Sequence, residues 1–280
     1  MKLVKLGALL AVCAAMALSG AAARAATKYG DALVEQGSMT IVREGRSLEY
    51  KVSANAVEVQ EKDLVRVRDD SRVQLTTADK ATLTLGANAI FQVEPWQSNQ
   101  KQGLFRMLFG RFRASVGGLA GTERFNVKTA TAVIGVKGTE YSSAVTIGGY
   151  TAVLGIDSVT TNEGSDGVEQ PVTTRQVSVT ASPATPAVPA PPAFLEAMQN
   201  FNSPPPGSAG ALFFPAMDSL VQAGIVSPRA GDKWKQEREG GGAGAGPGQG
   251  DGTAPPAPNI DDAQQTGNTI KGTLRANFGN

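Results

Sequence analysis

Glu140 is the best-placed acid in this sequence for proton-transfer chemistry, because it follows Gly138-Thr139 at the end of the run Thr131-Ala-Val-Ile-Gly-Val-Lys-Gly-Thr-Glu140. A glycosidase would need a second carboxylate facing it, and the other acids fall mostly in turn-type clusters such as Glu61-Lys62-Asp63 and Asp69-Asp70-Ser71. The residues favour a simpler reading, in which Glu140 pairs with a neighbouring base or a backbone amide. The sequence contains no histidine, so the commonest general base near neutral pH and the commonest metal ligand are missing. Ser-His-Asp and Cys-His arrangements are therefore impossible. Gly135-x-x-Gly138 lacks the Gly-Lys-Ser/Thr ending and the following helix of a phosphate loop. Asn162-Glu-Gly-Ser-Asp166-Gly167 lacks the acidic alternation and closing glutamate of a calcium loop and reads as a turn. Arg106, Arg111 and Arg113 alternate around Gly110, and a solvated strand face is preferred to a basic stripe. Trp96, in the polar loop 95–103, is the one speculative ligand contact, able to stack on a sugar or a partner. No residue set calls for a cofactor or a metal. The chain is read as non-enzymatic, with a hydrolase as the least favoured alternative.

The N-terminus implies export. Met-Lys-Leu-Val-Lys5 leads into an apolar run from Leu6 to Leu18, and Ala23-Arg24-Ala25 forms an Ala-x-Ala cleavage site. These are the three regions of a secretory signal peptide, and the apolar run is too short to span a bilayer, which takes about 20 residues. Cleavage near Ala25 removes Cys13, the only cysteine, and with it any disulfide or thiol chemistry. It also removes Lys2, Lys5 and Arg24 from the 26 basic residues, leaving 23 against 25 acidic. A near-neutral chain without a basic block argues against nucleic acid and against an anionic membrane surface. No later run is apolar enough for a transmembrane helix, so none is expected in the mature chain. The expected location is periplasmic or secreted, in a Gram-negative-type envelope.

The elements that must position these residues are short strands. After a lead-in segment at 26–36, apolar residues recur with period two: Met39 and Ile41; Leu48, Tyr50 and Val52; Val57 and Val59; Val65 and Val67; Val73 and Leu75; Leu83 and Leu85; Phe91 and Val93. Turn-type residues separate them every eight to ten positions, and no helical period interrupts. That pattern predicts an all-β sandwich, barrel or solenoid with one packed and one wet face. The run 104–116 is apolar on both sides and so central. Phe105, Met107 and Phe109 are placed on one face, and Gly110 is read as a bend before Phe112, Ala114 and Val116. Glycines inside the strand 125–141 point to close backbone approach.

The stretch from Thr129 to Tyr141 also resembles the signature of the FecR-like periplasmic domain, usually Thr-Pro-Thr-Ala-x-x-Gly-Val-Arg-Gly-Thr-Glu/Asp-Phe. Thr131, Ala132, Gly135, Val136, Gly138, Thr139 and Glu140 match it; Ala130 replaces the proline, and Lys137 replaces the arginine and loses its bidentate fork. Tyr141 stands at the phenylalanine. The resemblance covers about residues 37–165. It implies a stacked short-strand β domain, solenoid- or sandwich-like, whose motif residues serve structure or interaction. In the best-known members the domain senses an outer-membrane receptor for a sigma-factor regulator; the cytoplasmic and membrane-spanning parts of such regulators have no counterpart in this sequence.

The expected organisation is a signal peptide at 1–25, the FecR-like β domain at 37–180 and a largely disordered Pro/Gly-rich tail at 181–280. The tail carries two short amphipathic segments. Phe194, Leu195, Met198 and Phe201 share one helical face, and Met217, Leu220, Val221 and Ile225 another, with Pro215 at its start and Gly224 near its end. They suit docking either on the domain itself or on a partner. The expected function is binding of an envelope protein partner, in signalling or assembly. The alternative is a carbohydrate or cell-wall module, with polysaccharide or peptidoglycan held through Trp96.

Overall fold

Reversals of the chain fall where the turn-type clusters stand. Glu44, Lys62, Asp70, Lys80, Asn88, Ser158 and Arg175 all have positive φ between 50° and 70°, the local conformation that tight β turns demand. Between them run the strands of a computed structural model, which describes residues 28–78, 80–94, 104–117, 125–136, 140–181, 183–199 and 213–240.

The strands are β1 (Lys28–Gln36), β2 (Ser38–Arg43), β3 (Arg46–Lys51), β4 (Val57–Gln60), β5 (Leu64–Val67), β6 (Arg72–Thr77), β7 (Thr82–Leu85), β8 (Ile90–Val93) and β9 (Leu104–Ser115). They continue with β10 (Phe125–Lys128), β11 (Val133–Val136), β12 (Glu140–Val145), β13 (Thr151–Asp157), β14 (Thr160–Glu163), β15 (Glu169–Val172), β16 (Gln176–Thr180) and β17 (Val188–Pro189). Among the described residues three short helices follow: α1 (Pro192–Gln199), α2 (Phe213–Gln222) and α3 (Pro228–Gly240). The expected all-β stack of short strands is the observed one.

The strands form two facing layers. One runs β4-β1-β6-β7-β9-β12-β13-β16-β17. The other runs β3-β2-β5-β8-β9-β10-β11-β14-β15. Strand β9 belongs to both, so the layers are one continuous sheet that does not close. Its first half pairs with β8 and β10, and its second half with β7 and β12. The β9–β10 pair is parallel and the other strand pairs are antiparallel.

Two local devices let β9 change layer. Gly110 has φ +100°, and a Cβ there would sit 2.7 Å from the Cα of Ala89, so the expected bend is present and only glycine fits it. Just before it, Ile90 faces Phe109 while Phe91 faces Met107, an irregularity of one residue at Leu108. A bulge of that kind reverses which side chains face inward. Phe105 and Met107 therefore join the inner core, whereas Phe109 leaves for the outer cluster, and Phe112, Ala114 and Val116 return inside. Simple alternation, which put Phe109 with Phe105 and Met107, is corrected by this bulge.

Phe105 is the hub of the interior, with ring centroids 6.3 Å from Tyr29, 6.0 Å from Phe91, 6.2 Å from Phe112 and 5.6 Å from Phe125. Tyr29 comes from β1, in the segment read as a lead-in. Gly30 interrupts the alternation there because a Cβ would collide with the backbone carbonyl of Thr76.

Both amphipathic tail segments are helices, and they dock on their own domain. Phe194, Met198, Met217, Leu220 and Trp234 pack with Ala144, Ala152, Leu154, Val177 and Val179 on the outer face of β12, β13 and β16. Burial of side chains such as Phe194, Met198 and Leu220 contributes roughly 1.5–3 kcal/mol each, which offsets the entropy of ordering the helices. Gly224, at φ +71°, ends α2 as the tail pattern expected. Phe201 and the glycine-rich run beyond Gly240 lie outside the described residues.

Candidate functional site

The signature occupies β11 and the start of β12, and its described residues are used mainly in holding layers together. Gly135 faces Asn126 of β10 on one side and Thr161 of β14 on the other. A Cβ there would lie 2.9 Å from Thr161 Oγ1 and 3.2 Å from Asn126 Oδ1. Its carbonyl accepts from Thr160 Oγ1 at 3.2 Å and Thr161 Oγ1 at 3.1 Å. The absent side chain makes room for two neighbours whose polar groups would otherwise be crowded.

Thr129 organises the turn into β11. Its Oγ1 accepts from the amides of Ala132 at 2.9 Å and Thr131 at 3.3 Å. It also contacts Thr151 Oγ1 at 2.7 Å. Thr131 Oγ1 donates to the carbonyl of Gly149, which ties the signature turn to the β12–β13 hairpin. Ala132, Val136 and Tyr141 are buried. Tyr141 stands edge-on to Phe112 at 5.7 Å, and its hydroxyl meets no hydrogen-bond partner among the described residues. Burial holds that phenol well above its ordinary pKa.

Glu140 pairs with Arg113 of β9, Oε1 to Nε at 2.8 Å, as the sequence reading favoured. Both side chains are partly exposed, so the pair is worth at most about 1 kcal/mol; its effect is to occupy the motif's carboxylate. Lys137, Gly138, Thr139 and Trp96 lie outside the described residues.

The three arginines around Gly110 form neither a basic stripe nor a solvated face. Arg106 is buried and pairs with Glu94 at 2.9 Å. Arg111 is buried beneath α1, where its guanidinium donates to the carbonyl of Ala197 at 2.5 Å. Burial lowers its pKa to about 10. The expected solvated face is thus corrected: the bulge turns Arg111 outward, and the docked helix then covers it. Ser142 Oγ donates to the next carbonyl, Met198, at 3.1 Å. Together they satisfy carbonyls at the C-terminal end of α1 that have no partner within the helix.

The third helix carries polar anchors that the sequence reading missed. Trp234 is fully buried, donates from Nε1 to Asp218 Oδ1 at 2.6 Å and stands edge-on to Tyr150 at 5.5 Å. Glu237 accepts from the amides of Gly148 at 2.6 Å and Ile147 at 3.1 Å, at the tip of the β12–β13 hairpin. Burial raises its pKa, against the pull of those two amides and Lys233. The available signals were Pro228 as a helix start and Ala230 with Trp234 one turn apart.

Among the described residues, no group of three acidic side chains is placed to hold a metal ion, and no helix is long and apolar enough to cross a membrane.

Residues 63–165 match the family model described as FecR protein. That span begins at β5 and leaves β1–β4 ahead of it, whereas the resemblance read from the sequence begins near residue 37. No curated protein matches the chain. It is similar to two crystal structures, at 2.50 and 1.65 Å resolution, described as a "putative anti-sigma factor" from Parabacteroides distasonis. Identity is 16% and the TM-score 0.41 for each, over 48% of this chain and 62% and 63% of theirs. The chain spans less than two thirds of the length of those structures.

Proposed function

Residues 63–165 form a FecR-family domain, and on that premise we propose that the chain is a non-enzymatic binding protein of the cell envelope that engages another envelope protein in signalling or assembly. The observation that carries this reading is how the ionisable groups of the domain are used. Glu140 is engaged by Arg113, Glu94 by Arg106, and Arg111 by the end of α1. A site built for acid–base or nucleophilic chemistry keeps such groups facing a cleft with matched pKa values; here they fasten strands and a helix. The proposed periplasmic or secreted location is supported by the charged, apolar and Ala-x-Ala regions of residues 1–25.

The test is made in intact cells. Fractionation and mass spectrometry of the N-terminus are expected to find the chain outside the cytoplasm, beginning at Ala26. Photo-crosslinkers placed at exposed positions are then expected to trap one recurrent envelope protein from a few adjacent positions. A cytoplasmic chain, or crosslinks that never converge, refutes the reading. So does turnover of an ester, glycoside or peptide substrate that Glu140→Gln abolishes.

A further inference from the structure

The two ends of the stack are built from different chemistry. At the C-terminal end the outermost strands, β15 and β17, each carry a proline, Pro171 and Pro189. Proline offers no N–H to a further strand. The interior at that end is polar and closed on itself: Asn162 Nδ2 donates to Ser178 Oγ at 2.9 Å, and Thr180 Oγ1 donates to Asn162 Oδ1 at 3.0 Å. At the N-terminal end the outermost strand of the second layer is β3, Arg-Ser-Leu-Glu-Tyr-Lys, which has no proline and, among the described residues, pairs on one side only, with β2. Leu48 and Tyr50 lie opposite Ile41 and Met39, both fully buried, and so belong to the inner face. Yet Leu48 is 40% exposed, and Val52 just beyond it is 59% exposed. The apolar interior opens to solvent here, where stacked architectures otherwise place a polar cap.

We propose that this end docks on the same end of a second copy, β3 pairing antiparallel with β3 about a two-fold axis. Hydrogen-bond geometry restricts the register. Arg43 and Arg46 close the two-residue Glu44-Gly45 turn, and the amide of Val52 bonds inward to Gly37 at 3.2 Å. The even-numbered residues of β3 therefore bond toward β2, and Ser47, Glu49 and Lys51 present their N–H and C=O groups outward. Facing residues in an antiparallel pair must both point inward or both point outward, so the axis passes through a residue rather than between two. An axis at Glu49 sets two carboxylates opposite each other and one at Lys51 two ammonium groups, while an axis at Ser47 or at Tyr50 leaves only three strand residues overlapping. An axis at Leu48 faces Leu48 with Leu48, Ser47 with Glu49, and Arg46 with Tyr50, where a guanidinium lies well against an aromatic ring. This isologous register covers the exposed leucine with itself and opposes no like charges.

The test reads mass and crosslinking on the full chain. Wild-type protein is expected to show twice the monomer mass in sedimentation, with Leu48→Lys and Glu49→Pro reduced to monomer at unchanged circular dichroism. The first puts like charges on the axis, and the second removes an outward N–H without touching the β2 pairing. Leu48→Cys in a Cys13→Ala background is expected to form a disulfide-linked dimer under mild oxidation, because the facing Cα atoms of a non-hydrogen-bonded pair lie about 4.5 Å apart. Val168→Cys, exposed near the other end of the stack, is expected to stay monomeric. A monomeric wild type across a concentration series overturns the proposal. So does a dimer that survives both variants without a Leu48→Cys crosslink.

Discussion

Replacing Gly110 with alanine tests whether β9 is the spine of the fold. Two independent costs meet at this position. The backbone sits at φ +100°, a region that costs a side-chain-bearing residue about 1–3 kcal/mol. The new methyl would also lie 2.7 Å from Ala89 Cα, and overpacking of that kind against backbone costs about 1–3 kcal/mol more. The sum is a large share of the ~5–15 kcal/mol that a domain of this sort has to lose. At about 2–4 °C per kcal/mol for a domain of this size, the melting temperature is expected to fall by roughly 10 °C. Gly45 separates the two costs, since it has φ +76° but nothing within 4 Å of its missing Cβ. Gly45→Ala therefore measures strain alone, and Gly110→Ala is expected to be at least about 1 kcal/mol worse in urea titrations at unchanged m-value. Gly117 has neither positive φ nor a neighbour within 4 Å, and its alanine variant is expected to be neutral or stabilised by up to about 1 kcal/mol. If Gly110→Ala and Gly45→Ala lose the same stability, the contact with Ala89 does not limit the bend and the reasoning fails.

Tyr141→Phe removes a buried hydroxyl with no hydrogen-bond partner among the described residues, so stability is expected to hold or to rise by about 1 kcal/mol; a loss of that size in chemical denaturation would show that the hydroxyl is satisfied. Arg111→Met keeps the bulk beneath α1 but leaves the Ala197 carbonyl without its charged donor. Exchange of the α1 amides is expected to quicken about tenfold, a cost near 1.4 kcal/mol, while the β strands stay protected; unchanged exchange in α1 would refute the anchoring role. Glu237 has its pKa raised by burial, so its folded state binds the proton more tightly than its unfolded state. Its contribution is fully present below the ordinary carboxylate range and declines as pH rises through the raised value. Protection of α3 is therefore expected to weaken between acid and neutral pH in the wild type and to vary less in Glu237→Gln, as read by hydrogen exchange at matched intrinsic rates.

Much of this fold is written in side-chain alternation, and what escaped the sequence reading has a common cause. Period two placed the short strands, and Gly110 marked the bend, because burial of one face and steric room at one residue are local properties. Glu140 with a neighbouring base was legible for the same reason. The face of Phe109 was not, because one extra residue at Leu108 moves it to the outer side, and a bulge leaves no compositional mark when both faces are apolar; Arg111 was read on its outward face, and what stayed hidden was the helix that covers it. Strand β1 was obscured by Gly30, whose missing Cβ reflects a contact with Thr76, a residue 46 positions along the chain. Helix α3 was hidden by its polar composition: Ala230 and Trp234 are its fully buried side chains, too few to make a periodic stripe, and its hold on the domain runs through Asp218 and Glu237 as much as through apolar contact.

The placement of the signature bears on how such a domain can recognise anything. Ala132, Gly135, Val136 and Tyr141 are buried between layers, Gly135 by crossing side chains and Tyr141 by Phe112. A partner that binds the folded domain cannot touch them. Of the described signature residues that remain partly exposed, Thr131 is tied to Gly149 and Glu140 to Arg113. A motif spent on the scaffold in this way identifies the architecture and is silent about the ligand, because buried packing and hydrogen-bond closure restrict residue identity whatever the outer surface binds. Selectivity for a partner then has to reside where side chains face water and no internal contact dictates their type. Among the described residues the most exposed strand is β3, at the open end of the stack. The helices, by contrast, already cover the outer face of β12, β13 and β16. A substitution at one of the described signature residues should therefore act on stability before it acts on binding, and one in β3 should do the reverse.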